Sequence, residues 1–197
     1  TPSSFILWGP PGTGKTTIAR IIANQTQAEF FQINAVSSGV KDIRAVIDIG
    51  TRNKELGKRT ILFIDEIHRF NKAQQDALLH SIESGVLILI GATTENPSFE
   101  VIPALRSRAR VFVLEELSKQ DLVDILKSAI GKDEYLKQLN IKSVDENYLI
   151  YLSGGDARIM LTILEAAVIQ EISKDEIILT KEIFENIVQR KNILYDK

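Results

Sequence analysis

Over the first 115 residues, apolar positions gather into short runs separated by stretches of helical spacing. The runs are 5–8, 30–33, 61–64, 86–90 and 111–113. Each has the length of a β-strand buried on both faces. Between them Ile18, Ile21 and Ile22 recur at i, i+3 and i+4, and so do Ile43, Val46 and Ile47. Asn71 stands where it would cap a helix carrying Ala77, Leu78 and Ile82. Strands alternating with helices predict an α/β fold: a parallel sheet flanked by helices.

Past about Leu117 the strand-like runs stop. Ser118 with Asp121, and Ser143 with Glu146, resemble capping boxes ahead of helical periodicity. Gly154 and Gly155 close the second of these helices. Asp156 then caps a helix carrying Ile159, Met160, Ile163, Leu164 and Ala167, and Thr180 one carrying Ile183, Phe184, Ile187 and Val188. The expected organisation is an α/β domain over 1–117 and a small all-α domain over 118–197. No internal repeat or low-complexity segment interrupts either.

Composition narrows the class. The chain has 197 residues, 44% hydrophobic and 25% charged, which excludes a disordered or collagen-like polymer. Zero cysteines exclude disulfides, thiolate metal sites and a cysteine nucleophile, and two histidines cannot make a three-histidine metal site. The longest apolar run, 86–92, is far short of the roughly 20 residues that span a bilayer. The start lacks a basic n-region and an apolar h-region. A soluble intracellular protein is expected. The chain opens without Met, almost directly on the apolar run at Phe5, as an excised fragment would. The net charge of −2 argues against a generic nucleic-acid coat, so a polyanion would need a local basic patch. Lys41, Arg44, Arg52, Lys54, Lys58 and Arg59 form one against Asp42, Asp48 and Glu55, though a solvated helix face reads the same way.

The chemistry starts at Gly9, Pro10, Pro11, Gly12, Thr13, Gly14, Lys15 and Thr16, which fit G-x-x-x-x-G-K-[ST] between a predicted strand and a predicted helix. Glycines let successive backbone N–H groups turn onto phosphate oxygens, and a helix N-terminus adds its dipole. Lys15 supplies a point charge to the β- and γ-phosphates, and Thr16 a hydroxyl for Mg²⁺; Thr17 follows in the same turn. The second half of such a site is an acidic strand end, and 61–64 leads into Asp65 and Glu66. Asp65 suits Mg²⁺ through water, and Glu66 suits polarising the attacking water. The run at 86–92 ends in Thr93 and Thr94, where a polar side chain would sense the γ-phosphate or cap the next turn. Arg106, Arg108 and Arg110 precede the last run. One of them suits a finger on a phosphoryl transition state supplied by a neighbour, and alternate arginines equally make a solvated face. Arg158 stands ready to reach the phosphates from the helical domain, or to stay at its surface. His68 reads as a structural or exposed contact, Trp8 as core packing, and His80 as surface.

These residues appear in the order of Walker A, Walker B, sensor 1, arginine finger and sensor 2. That layout resembles an AAA+ ATPase, a P-loop α/β domain followed by a helical lid. The stretches 65–76 and 91–100 look like the replication-associated recombination protein A family of the clamp-loader clade, whose eukaryotic counterpart is the Werner helicase-interacting ATPase. The stretch 34–44 is similar to the same clade, and the closing Tyr195, Asp196 and Lys197 resemble the point where such proteins continue into an oligomerisation region. The resemblance implies ATP and Mg²⁺ as cofactors. It makes Lys15, Glu66, Thr94, Arg108 and Arg158 the catalytic set, Thr94 as sensor 1, Arg108 as the in-trans finger and Arg158 as sensor 2. It implies a homo-oligomer acting on forked or single-stranded DNA at stalled forks, with replication or repair proteins as partners and no membrane. The location would be the nucleoid-associated cytoplasm in a bacterium or the nucleus in a eukaryote.

Other functions fit less well. A polypeptide-threading AAA+ machine uses an aromatic pore loop, and 36–40 has no aromatic residue. A clamp-loader-like subunit stays open as an alternative. A GTPase needs N-K-x-D, and Asn53-Lys54-Glu55-Leu56 lacks the Asp. A nucleotide-binding module without turnover would have little use for Glu66.

Overall fold

Five strands, β1 (Phe5–Trp8), β2 (Glu29–Asn34), β3 (Thr60–Asp65), β4 (Ile88–Thr93) and β5 (Arg110–Val113), form one sheet in the order β2-β3-β4-β1-β5. Every neighbouring pair is parallel. The helices between them are α1 (Lys15–Gln25), α2 (Val40–Glu55), α3 (Lys72–Glu83), α4 (Pro97–Glu100) and α5 (Pro103–Arg106). This computed structural model describes residues 3–195, and its first compact unit ends at Glu115.

The strand order dictates where the helices go. The step from β1 to β2 runs toward one edge of the sheet, and the steps through β3 to β4 run back. Right-handed crossovers then put α1 on one face and α2 and α3 on the other. The packing agrees. Ala19 and Ala23 of α1 share a core with Phe5, Leu7, Ile61, Phe63, Ile90 and Ala92. Ile43, Val46 and Leu78 share the opposite core with Ile6, Ile33, Leu62, Ile64 and Leu89. The step from β4 over β1 to β5 runs the same way as β2 to β4, and Val101 and Leu105 duly join the second core. Ile61, Leu62, Phe63 and Ile64 are all 0% exposed. Burying side chains of this size stabilises by roughly 1.5–3 kcal/mol each before entropy is counted. The strand that ends in Asp65 is therefore the most firmly held in the sheet.

Two sequence expectations change here. Ile21, read as part of the buried stripe of α1, is exposed, and Ala19 and Ala23 face the sheet. The helix starts where the Gly-rich loop releases it at Lys15, and that start fixes its rotational phase. Small residues then let it lie close to the strands. β5, read as buried on both faces, is exposed along its length, because it is an edge strand.

The second unit begins at Glu116. It contains α6 (Lys119–Lys132), α7 (Glu146–Ser153), α8 (Ala157–Glu171) and α9 (Lys181–Tyr195). Leu122, Leu126, Leu149, Met160, Ile163, Leu164 and Phe184 form its core. Ser118 and Asp121 make the expected capping box, and Asp156 accepts from the backbone N–H groups of Arg158 and Ile159. Gly154 ends α7 in the left-handed region at φ 57°. The unit also holds a short parallel ladder, β6 (Ile141–Val144) with β7 (Ile177–Leu179), that the helical pattern does not announce. Ser143 is drawn into that ladder opposite Ile178, so it does not cap α7; Asp145 does, accepting from Tyr148 N–H. The sequence expectation at Asp196 and Lys197 falls outside the described residues.

Candidate active site

The chain leaves β1 at Trp8 and turns over α1 through residues 9–14. Gly12 and Gly14 stand at φ 76° and 86°, which a side chain would strain. Thr13 Oγ1 donates to Pro10 O at 2.9 Å and ties the loop across itself. Gly9 is glycine for a different reason. A Cβ there would lie 2.3 Å from the Leu114 carbonyl oxygen, where β5 leaves the sheet. Pro10 and Pro11 stiffen the turn between them. Lys15 is buried, and its ammonium donates to the carbonyls of Gly9 and Pro10, each at 2.7 Å. Thr16 is half-buried and Thr17 exposed in the first turn of α1, which carries no acidic residue. A dipole end, free of acids and fronted by a lysine, attracts phosphate.

Asp65 closes β3 opposite Asn34, and its backbone carbonyl accepts from Ala35 N–H at 3.0 Å. Glu66 follows in the left-handed region, at φ 53° and ψ 46°. For a residue with a Cβ this costs roughly 1–3 kcal/mol and is commonest at functional sites. The kink aims the Glu66 carboxylate at the end of β4. Thr94 Oγ1 lies 3.5 Å from Glu66 Oε2 and is exposed. Thr93 is 0% exposed, and its carbonyl accepts from Gly9 N–H at 3.1 Å. Thus the phosphate loop, the acidic pair and both threonines gather at the carboxyl ends of β1, β3 and β4. That is the rim where open α/β sheets bind ligands. One carboxylate and one hydroxyl, Asp65 and Thr16, suit Mg²⁺, which keeps water and phosphate oxygens in its shell. Among the described residues no group of three His, Asp or Glu side chains stands ready to hold a metal alone.

The sequence reads His68 as a structural or exposed contact, and the structure gives it two polar neighbours. It lies in a single 3-10 turn, Ile67–Arg69, with its Nδ1 2.9 Å from Thr93 Oγ1 and 3.2 Å from Glu66 Oε2. The only linear signal was its position two residues after Glu66.

Arg106, Arg108 and Arg110 sit elsewhere in the first unit. Arg110 opens β5 opposite Phe5, the first residue of β1. The foot of the sheet is therefore about 13 Å from the phosphate loop, four residues at about 3.3 Å each. Arg108 is ion-paired with Glu83 at the end of α3, and it donates to Ala104 O at 2.7 Å and Ser107 Oγ at 3.0 Å. Arg106 has a buried Nε without a hydrogen-bond partner. Arg158 belongs to the second unit, is exposed, and lies 3.3 Å from Asp156. Burial pushes the Asp156 carboxyl up, but hydrogen bonds from the Arg158 side chain and the backbone N–H groups outweigh it and hold it below the ordinary range.

Residues 5–117 match the family model for ATPases associated with various cellular activities (AAA), and residues 135–197 match an AAA C-terminal domain model. The chain belongs to the AAA ATPase family. It is 50% identical over 170 residues to replication-associated recombination protein A of Escherichia coli K12, covering 82% of this chain and 37% of that protein. It is 44% identical over 216 residues to ATPase WRNIP1 of Dictyostelium discoideum, covering 98% of this chain and 24% of that protein. The Thermotoga maritima RuvB Holliday junction branch migration motor superposes with a TM-score of 0.73 at 28% identity, covering 95% of this chain and 61% of that one. This AAA ATPase thus sides with the recombination protein A and WRNIP1 group, and it spans well under half the length of those curated relatives. Among the described residues no helix is long and apolar enough to cross a membrane.

Proposed function

We propose that this AAA ATPase hydrolyses Mg-ATP as one subunit of a homo-oligomer that acts on forked or single-stranded DNA in replication-associated recombination. The observation that carries the reading is the split between the two ends of the sheet. Lys15, Asp65, Glu66 and Thr94 share the carboxyl-end rim, and Arg108 lies at the foot. An arginine there cannot touch its own subunit's γ-phosphate, and it is well placed to meet a neighbour's. Lys15 exchanges its two carbonyl contacts for the β- and γ-phosphates. Thr16 and Asp65 would hold Mg²⁺, which would supply positive charge against the phosphates. Glu66 takes the proton of the attacking water, and Thr94 orients that water or the γ-phosphate. The resemblance to AAA+ ATPases gives Arg158 the role of sensor 2. The DNA reading leans on the names of the relatives and on the exposed basic residues Lys41, Arg44, Arg52, Lys54, Lys58 and Arg59. Partner replication or repair proteins follow from the same kinship.

The deciding experiment is steady-state ATP turnover against protein concentration, with and without a forked DNA. Specific activity rising with both is the expected result. Turnover independent of concentration in a chain shown to hydrolyse ATP would remove the in-trans finger, and turnover blind to DNA would remove the DNA reading.

A further inference from the structure

We propose that His68 is a positioning residue for the water-activating carboxylate, sharing its Nδ1 proton between Glu66 and the buried Thr93. The inference rests on Glu66 acting as the base.

The argument starts with proton counting. The Thr93 hydroxyl has one proton. It lies 3.1 Å from Glu95 O as a donor, and its oxygen accepts from Glu95 N–H at 3.0 Å. With that proton committed, the 2.9 Å contact to His68 needs the hydrogen on Nδ1. The second neighbour of Nδ1 agrees. An ionised carboxylate can only accept, so a bare nitrogen lone pair 3.2 Å from Glu66 Oε2 would be repelled. Both partners select the Nδ1–H tautomer. The side chain of His68 is 7% exposed and Thr93 is 0%, so little water competes for that proton.

Packing explains how the three residues meet. Gly91 of β4 has no side chain, and a Cβ there would press within 3.1 Å of Ile67 Cδ1 and 3.3 Å of Ile6 Cγ1. Ile67, 0% exposed, therefore seats the 3-10 turn directly on β4. His68 then falls beside Thr93, which lies two residues beyond Gly91 on the same face of the strand. The left-handed backbone of Glu66 turns its side chain toward the same place. Thr93 is also bonded through its carbonyl to Gly9 of the phosphate loop. The base is thus clamped to the strand that carries the sensor and braces the loop, which limits the directions its carboxylate can take.

The test compares the wild type with His68→Ala, His68→Asn, Thr93→Val, Glu66→Gln and the Glu66→Gln/His68→Ala pair. His68→Ala should lower kcat about tenfold, the lower end of what outer-shell partners cost, with KM for ATP within about twofold. His68→Asn, whose amide N–H can stand where Nδ1–H stands, should restore most of the rate. In the Glu66→Gln background His68→Ala should have no further effect. Unchanged kcat in His68→Ala beside an inactive Glu66→Gln overturns the role of His68 alone. Full turnover in Glu66→Gln overturns the base reading beneath it. Imidazole ¹⁵N spectra of the wild type decide the tautomer without any turnover: Nδ1 should be the protonated nitrogen, and an unprotonated Nδ1 overturns the proposal. Should His68→Ala fail to fold, Thr93→Val carries the kinetic arm. Its kcat should fall with KM unchanged, and a wild-type kcat there overturns the clamp.

Discussion

Replacing Gly9 with alanine separates two reasons for glycine within one loop. At Gly9 the added Cβ would lie 2.3 Å from Leu114 O, 2.9 Å from Leu114 Cβ and 3.1 Å from Leu114 C. Those atoms are mostly backbone, so no side-chain rotation relieves the contact. To reach ordinary separation β5 must move away from β1 by about 1 Å, since real carbon contacts begin near 3.5 Å. That motion stretches the Leu114 N–H to Trp8 O bond, now 2.7 Å, and disturbs Gly9 N–H to Thr93 O at 3.1 Å. Losing one or both hydrogen bonds costs about 1 kcal/mol each, and overpacking adds about 1–3. The α/β unit should lose about 2–5 kcal/mol, and its midpoint should fall by roughly 4–20 °C at about 2–4 °C per kcal/mol for a chain of this length. At Gly14 a Cβ meets nothing within 4 Å, and only the φ of 86° opposes it. Gly14→Ala should cost about 1–2 kcal/mol and lose nucleotide affinity out of proportion to stability. Thermal unfolding followed at Trp8, which lies in the α/β unit, reads the first effect, and ATP titration reads the second. A Gly9→Ala midpoint at or above that of Gly14→Ala would refute the steric account.

Lys15→Ala should abolish tight ATP binding, whereas Glu66→Gln should keep binding and lose turnover; equilibrium binding beside steady-state hydrolysis separates the two. Arg108→Ala should be inactive alone yet regain turnover when mixed with Glu66→Gln, because the defects lie on opposite sides of a shared interface. A mixture that demonstrably assembles and stays dead would count against an in-trans finger. Three carboxyls at helix starts in the second unit sit below their ordinary range: Asp121 through bonds from Ser118, Glu182 through Thr180 and its own N–H, and Asp156 as described. Groups depressed in the folded state stabilise it above their unfolded pKa, and that stability disappears as pH falls through the folded values. The second unit should therefore lose helicity on acidification below the usual carboxylate range. Asp156→Asn should flatten that loss in far-ultraviolet circular dichroism, and an unchanged acid profile would contradict it.

What the sequence made legible is what neighbouring residues decide. The phosphate loop, the acidic end of β3 and the caps at Asn71, Ser118 and Asp156 are all written within a few positions, because turns and helix ends are local problems. The rest depends on partners that no window contains. Edge exposure of β5 is a property of strand order, not of residues 110–113. The β6–β7 ladder joins segments over thirty residues apart, each of only three or four residues and so too short to show periodicity. Arg108 finds Glu83, and His68 finds Thr93, across 25 residues in each case. The second pairing changes the reading of the site most. A histidine near a Walker-type carboxylate is unremarkable as text. It matters here because Gly91 lets Ile67 settle on β4, and that contact brings the His68 ring to the carboxylate proposed to activate the attacking water. Motif residues name the chemistry, and the packing beneath them sets its geometry. The least conspicuous position in the stretch, a glycine inside a buried strand, is therefore the one whose enlargement should misplace Glu66 without touching any residue of the motif.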